Sequence, residues 1–413
     1  MKKQRLAAIS IIVIFALLSA AGCETYDNFV NAFFADDDDS GTIVRIGVFQ
    51  PLSGIHEEYG ELEKLGIELA HEFYPRALRK EVELIFADNK SDIHIAEIAI
   101  QNLISRNPSI VIGSYGGLYS LIAAGYLEEA QIPAIAVTNT NWLVTKNNPF
   151  YFRVCFVYSY EGIALAKFAA EEMQVRSAAI LRPINDDAAI AVTQAFRDKM
   201  IQLTGNANII ISDQDFDPYA LDFSEQLAII RTSRAEVVFL PANIDNAAEI
   251  LKQAKQLNLN TVFLGTEKWE SQDFINKAGE AAEGVAFSTL FDPDSGITEM
   301  TEVFLNAYKA KFGEDSVPHS AIALGFDAYL LAIDSINRAG TSTDGEKIAL
   351  ALAQTRQFPG ASGSITFDEH GDPIKSVVIK TIQNGEAVAI HTVEPAWVDL
   401  SEEEEEEEQY NAN

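Results

Sequence analysis

SIVIGSYGGLYSLIAAGYLEEAQIPAIAVTNT, residues 109–140, is the stretch on which the fold reading turns. Ser109-Ile110-Val111-Ile112-Gly113 is a short β-branched run of the kind found inside a parallel sheet. Ser114-Tyr115-Gly116-Gly117 reads as a turn. From Leu118 to Ala130 the apolar residues Leu118, Leu121, Ile122, Ala124, Gly125 and Leu127 fall at helical spacing. Ile132 to Val137 is a second strand, and Thr138-Asn139-Thr140 is its polar end. The whole is a βαβ unit. In open α/β sheets ligands bind beyond the carboxyl ends of the strands, so both polar loops should face one crevice. Gly116 and Gly117 let a ligand approach the backbone closely, and amides at the following helix N-terminus suit an anion such as a carboxylate.

Working outward, the elements alternate as a doubly wound α/β fold requires. Ile43 to Gln50 is a strand and Glu61 to Phe73 a helix. Val82 to Phe86 is the next strand, and Ser91 is placed to cap the helix carrying Ile93, Ala96, Ile100, Leu103 and Ile104. A second set comprises helices at 161–173, 188–203 and 246–256 and strands at 177–181, 208–212, 236–240 and 261–265. Helices at 299–312, 321–339 and 345–355 follow, then closing strands at 364–367 and 376–382. His370-Gly371-Asp372 and Asn384-Gly385 read as turns. Two α/β lobes are implied.

The ends have a different character. Lys2, Lys3 and Arg5 precede an apolar run from Leu6 to Leu18 and then Ser19-Ala20-Ala21-Gly22-Cys23, the pattern of a secretory signal. Small residues leading into Gly22-Cys23 resemble a bacterial lipobox, which implies cleavage before Cys23 and lipidation of its thiol. An uncleaved anchor is the alternative, but the run is short of the roughly 20 residues a span needs. Either way the folded part lies outside the cytoplasm. Residues 24–41, with Asp36 to Asp39, read as an acidic tether, and Glu402 to Glu408 as a self-repelling tail. With Cys23 lipidated, Cys155 has no disulfide partner and reads as a small buried apolar residue. A formal net charge of −31 makes nucleic acid and anionic membrane surfaces poor partners.

Enzymatic signatures are lacking. There is no Gly-x-Gly-x-x-Gly after a strand, no phosphate-binding Walker loop and no His-Glu-x-x-His. Gly360-Ala361-Ser362-Gly363-Ser364 falls short of a nucleophile elbow. His56, His71, His94, His319, His370 and His391 are scattered without metal-ligand spacing. The paired carboxylates Asp186-Asp187 and Glu57-Glu58 would serve a glycosidase only if the fold set two such groups about 5 to 10 Å apart across a bond. Neither catalysis nor a cofactor or metal is expected.

Several segments in order resemble a known family. They are Ile46 to Gly54 followed by Tyr59-Gly60, then Val111-Ile112-Gly113, Ile132-Pro133, Phe152-Arg153, Phe263 to Glu267, and Gly363 to Asp368. Together they resemble the Leu/Ile/Val-type substrate-binding proteins of ABC importers, which have the type I periplasmic-binding fold. The resemblance implies two doubly wound lobes joined by hinge strands near 154–158, 287–290 and 357–361. Its domain plan is a lipoprotein signal at 1–22, the acidic tether at 23–41, lobe one at 42–155 and 290–357, lobe two at 156–289 and 358–395, and a tail at 396–413.

Carried over by position, the site places a ligand carboxylate on backbone amides around Gly116 and Gly117 and on the Thr140 hydroxyl. Thr138 offers its carbonyl to an ammonium, and Glu267 is the single acid that pairs with it from lobe two. Ser53 lies in the first ligand loop and Tyr59 forms a pocket wall. Three positions depart from the family: Gly117 replaces a frequent serine, Asp187 a ligand-covering tyrosine and Asn243 a residue often aromatic. Trp142 and Trp269 either restore aromatic surface or serve packing. The function implied is capture of an amino acid or similar small amide and delivery to an ABC permease, by a protein lipid-anchored through Cys23 in the cell envelope, on its periplasmic or extracellular face. A ligand-sensing receptor subunit would use the same sequence. A repressor of this fold would need a basic helix-turn-helix where the signal stands.

Overall fold

The β-branched run at 110–112 is fully buried and lies inside a parallel sheet, as its composition requires. The computed structural model describes residues 43–295 and 298–394; the signal, Cys23, the tether and the tail at 396–413 lie outside them. The chain begins β1 (Val44–Gln50), α1 (Glu57–Phe73), β2 (Arg76–Ala77), β3 (Lys80–Asp88), α2 (Ile93–Ile104), β4 (Ile110–Ile112), α3 (Gly117–Glu129), β5 (Ala134–Ala136) and β6 (Tyr151–Arg153). It continues with α4 (Tyr158–Lys167), β7 (Ala178–Pro183), α5 (Asp187–Thr204), β8 (Ile210–Phe216), α6 (Ser224–Ser233), β9 (Val237–Phe239), α7 (Ile244–Gln256), β10 (Val262–Gly265), α8 (Gln272–Ala278) and β11 (Ala286–Thr289). Three helices, α9 (Glu299–Phe312), α10 (Ser320–Ala339) and α11 (Gly345–Ala353), precede β12 (Phe358–Gly360), β13 (Gly363–Phe367), β14 (Pro373–Ile374), β15 (Val377–Gln383) and β16 (Glu386–Val393).

These elements make two large sheets. The first has the order β2-β3-β1-β4-β5-β6, parallel except for the short β2. The second has the order β16-β15-β11-β10-β9-β7-β8, parallel from β8 to β11 and closed by the antiparallel β15 and β16. Each reverses its order of addition at one point, β1 beside β4 and β7 beside β9. Such a reversal opens a crevice at the carboxyl ends of the strands. After β11 the chain returns to the first sheet: α10 is buried along almost its whole length and packs on α1. The two helices cross closely because glycines meet there. A Cβ on Gly66 would stand 2.0 Å from the Ile322 carbonyl oxygen, and one on Gly325 would stand 2.3 Å from that of Glu63.

Several local expectations change. The first helix begins at Glu57, four residues before the expected Glu61, so Tyr59 and Gly60 are helical rather than part of a loop. Asp92, not Ser91, caps α2, accepting the amides of His94 and Ile95. Ser91 has φ +53° and its hydroxyl donates to the Ser53 carbonyl. The helix α6 has no counterpart among the expected elements. The strand at 363–367 joins β12 and β14 in a small separate sheet, whereas β15 joins the second large sheet.

The segments that pass between the sheets meet at a buried acid. Asp327, on α10, is fully buried and accepts the Ala361 amide, the Ser362 amide at 3.0 Å and the Ser362 hydroxyl. Lys375 Nζ donates to that same Ser362 oxygen and reaches the Val154 carbonyl at 3.5 Å. Burial pushes the Asp327 carboxyl up and the Lys375 ammonium down, and each charge pulls the other back. Thr298 and Thr301 hold the carbonyls of Gly360 and Ala361 at 2.7 and 2.9 Å. Three segments far apart in sequence are thereby tied to one helix. Replacing Lys375 with methionine leaves Asp327 buried without its cation, and urea unfolding should show a loss of about 3–5 kcal/mol.

Candidate functional site

On the first-sheet side, α1 points two residues one turn apart, Tyr59 and Glu63, at the ends of the strands. Glu63 is fully buried. Its oxygens accept Gln50 Nε2 at 2.5 Å and the Thr138 hydroxyl, and Gln50 Oε1 in turn accepts the Tyr115 amide at 3.0 Å. The acid therefore clamps the ends of β1, β4 and β5 to one another. Burial pushes its carboxyl up to about 7, against the pull of the Thr138 and Gln50 hydrogen bonds.

Tyr59 and Tyr115 form an aromatic wall. Their rings stack with centroids 4.5 Å apart and planes 5° from parallel. His319 meets Tyr59 edge-on at 6.3 Å, and His56 tilts against Tyr115 at 5.4 Å. Tyr115 carries no periodic signal in the sequence, because it stands in a turn dominated by Gly116 and Gly117. Gly116, at φ +90°, precedes α3, which begins at Gly117. The missing serine at 117 has a physical reason: a Cβ there would approach Asn141 Nδ2 to 3.0 Å, so the Asn141 amide already fills the space.

The loop after β5 is held from beneath by Arg153. Its fully buried guanidinium donates to the Asn139 carbonyl at 2.8 Å and the Thr145 hydroxyl at 2.7 Å, and pairs with Asp372 at 2.5 Å. Cys155 Sγ, also buried, reaches the Asn139 carbonyl at 3.2 Å, in keeping with its expected place in the core. Thr140 is nearly buried, and its carbonyl accepts the amide of Tyr158 at 3.3 Å. Ser53 is half-buried and turns away, donating to Asp88 at 2.7 Å.

On the second-sheet side, Glu267 opens a short 3₁₀ turn, Glu267–Trp269, just past β10. It does not stand alone as expected. The fully buried Glu161 of α4 accepts the Glu267 amide at 2.8 Å and the Ser288 hydroxyl of β11. Lys268 lies beside the Tyr158 ring, 5.8 Å from its centroid. Burial lowers that ammonium, but Tyr158, Glu267, Asp186 and Glu161 outweigh it and hold the group above the ordinary lysine range. Burial raises the phenols of Tyr59 and Tyr115, helped by the negative charge of Glu267 and, for Tyr115, first by Tyr59, so the acid lies within electrostatic reach of the aromatic wall.

Two expected lobe-two residues stand at helix starts. Asp187 is exposed on the first turn of α5, and Asn243 is an exposed cap that accepts the Asn246 amide at 2.9 Å. Trp269 serves packing: it is fully buried, stacks on Phe274 at 4.9 Å and donates to the Ala242 carbonyl. Trp142 is half exposed, under the Lys146 ammonium. No group of three or more potential metal ligands occurs among the described residues.

A sequence profile described as periplasmic binding protein matches residues 43–387. The chain belongs to the periplasmic binding protein family. Its solved relatives include a leucine binding protein, LivK, from Thermotoga maritima, 32% identical with a TM-score of 0.76, covering 85% of this chain and 99% of that one. A solute-binding protein from R. palustris in complex with benzoate is 18% identical and shares the fold, with a TM-score of 0.72 over 87% of this chain and 98% of that one. The leucine-, isoleucine-, valine-, threonine- and alanine-binding protein of Pseudomonas aeruginosa is 23% identical over 352 residues, 83% of this chain and 90% of that protein. The two lobes of a type I periplasmic binding protein correspond to the two large sheets, with the crevice between their strand ends. No described helix is long and apolar enough to cross a membrane.

Glu63 gives this binding protein a pH dependence of known sign. Its folded value of about 7 lies above the ordinary 4.5, so the folded chain binds more protons than the unfolded chain between those limits. Stability from this group is fully present below about pH 4.5 and is lost as pH rises through 7, by about 3 kcal/mol in all. Unfolding free energies measured from pH 4 to 8 should fall less steeply in Glu63→Gln than in the parent, by that difference.

Proposed function

We propose that this protein is an extracytoplasmic solute receptor that closes its two lobes on an amino acid or related small amide and delivers it to an ABC permease. The observation that carries the reading is the opposition, across one crevice, of Glu267 on the second sheet and the glycine turn and aromatic wall on the first. A zwitterion needs donors for its carboxylate and an acid for its ammonium. The amides at Gly116 and Gly117, at the start of α3, suit the carboxylate, with the Thr140 hydroxyl beside them. The Thr138 carbonyl and Glu267 suit the ammonium, and the stacked face of Tyr59 and Tyr115 receives the apolar side chain. Asn141 supplies a polar group beside Gly117, where many members of the family have a serine.

Relatives named for leucine, isoleucine, valine, threonine and alanine fit a ligand of this size, and the benzoate complex shares the need for a carboxylate anchor. Anchoring through Cys23 after removal of residues 1–22 would hold the receptor beside its permease, with lobe one at 42–155 and 290–357 and lobe two at 156–289 and 358–395.

Calorimetric titration with leucine, isoleucine, valine, threonine, alanine and benzoate tests the ligand class. For the amino acid that binds, Glu267→Gln should weaken affinity at least about tenfold, since a charge-assisted contact contributes about 1.5 to 3 kcal/mol. Affinity within twofold of the parent would remove Glu267 from the site. Small-angle scattering at saturation should show a smaller radius of gyration than the ligand-free protein, as hinge closure requires. An unchanged radius would count against closure.

A further inference from the structure

Glu161 was not picked out from the sequence, yet it is the buried acid against which Glu267 is set. It lies on α4 with no exposed surface. Its Oε1 is occupied by the Glu267 amide and the Ser288 hydroxyl. Its Oε2, and Glu267 Oε2, are both buried without a hydrogen-bond partner. Neither carboxyl takes part in an ion pair among the described residues; the neighbouring Lys268 ammonium lies over the Tyr158 ring, 5.8 Å from its centroid. Two neighbouring acids in a water-poor site cannot both carry a charge without a cation between them. One retained proton, donated from one carboxyl to the other, satisfies both orphan oxygens at once.

We propose that Glu161 is a neutral carboxylic acid that donates its proton to Glu267, so that it positions the Glu267 carboxylate for the ligand and leaves the pair with one negative charge. Glu161 keeps the proton because it is the fully buried member, whereas Glu267 is partly open to the crevice. Burial first, and the neighbouring Glu267 second, push Glu161 well above the ordinary carboxyl range; the Ser288 hydroxyl and the Glu267 amide oppose this. The other titratable groups around the pair are Tyr158 on α4, Asp186 at the start of α5, Lys268 on the 3₁₀ turn, and Tyr59 and Tyr115 across the crevice. Glu270 follows on the same turn, already paired with Lys380, which also binds Asp292. None of them places a second cation on Glu161.

The consequence is selectivity by charge. A pair with one negative charge matches a head group with one ammonium, and gives no second carboxylate to a diamine or a basic side-chain end. This consequence rests on the reading of the crevice as an amino-acid site, but the proton does not, and it is tested without ligand.

Infrared spectra of the ligand-free protein, recorded from pH 5 to 9, report protonated carboxyls through their C=O stretch. Glu161→Gln should remove one such band at neutral pH, with Glu63→Gln recorded alongside to assign the separate contribution of Glu63. Glu267→Gln removes the neighbouring charge, so the Glu161 band should vanish at a lower pH than in the parent, by about one unit or more. A neutral-pH spectrum unchanged by Glu161→Gln overturns the proposal, as does a band whose pH is unmoved by Glu267→Gln. Should Glu161→Gln fail to fold, the Glu267→Gln shift decides alone. Failure of every amino acid in the calorimetric panel would instead strike the functional reading and leave these spectra as they are.

Discussion

A carboxyl group removed from water must be neutralised or hydrogen-bonded on every side, and three such groups, Glu63, Glu161 and Asp327, each organise one part of this molecule. Glu63 ties the carboxyl ends of β1, β4 and β5 through Gln50 and Thr138. Glu161 fixes the turn that presents Glu267. Asp327 gathers the crossing segments around Ser362 and Lys375. In each case the acid sits behind the surface that is used, and its hydrogen-bond demand sets where the nearby backbone can go. Satisfied polar networks of this kind specify one arrangement more sharply than apolar packing does, because a shifted alternative leaves a buried acid unpaired.

The same demand explains how a chain of net charge −31 offers an acid to a ligand without destabilising its own crevice. Most of that charge is solvated and screened. Inside the crevice Glu267 has Lys268 next to it in sequence, and burial pushes its immediate acidic neighbour, Glu161, well toward the neutral form. The aromatic wall opposite, Tyr59 on Tyr115, adds apolar surface whose phenols are held protonated by burial and by that same acid.

Much of this was legible in the sequence. The βαβ unit at 109–140, the two α/β sets and the helices at 299–339 follow from hydrophobic period and glycine punctuation, and the family resemblance added the crossing segments. The errors have physical causes. The start of α1 was missed because Glu57-Glu58-Tyr59 lacks an apolar stripe, although acids in a first turn favour the helix dipole. The helix α6 was missed because it buries only Leu227 and Ile230, too few for a periodic signal. Trp269 was a candidate for the ligand wall, but lies beneath β10, whose Gly265 leaves room for the indole: a Cβ there would stand 2.2 Å from the ring. Glu161 was unreadable for a different cause. An acid near a helix start is ordinarily solvated, and only the docking of Ser288 and the Glu267 turn onto α4 turns it into a buried partner.

The crossing segments set what kind of motion the crevice permits. Asp327 and Lys375 are buried, so the contacts at Ser362 and Val154 cannot be traded for water without a large penalty. The lobe closure proposed above would therefore have to be absorbed on either side of that knot, in backbone torsions outside residues 361–362 and 375. On the ligand side the two lobes are joined more lightly. Tyr158 donates its amide to Thr140, so the first residue of α4 is bonded to the loop after β5, and Glu161 lies one turn further along the same helix. While these hydrogen bonds hold, α4 carries the loop after β5 and the Glu267 turn together. One helix, α4, thereby fixes both the loop after β5 and the turn that carries Glu267, the two places proposed above to hold the ends of the ligand.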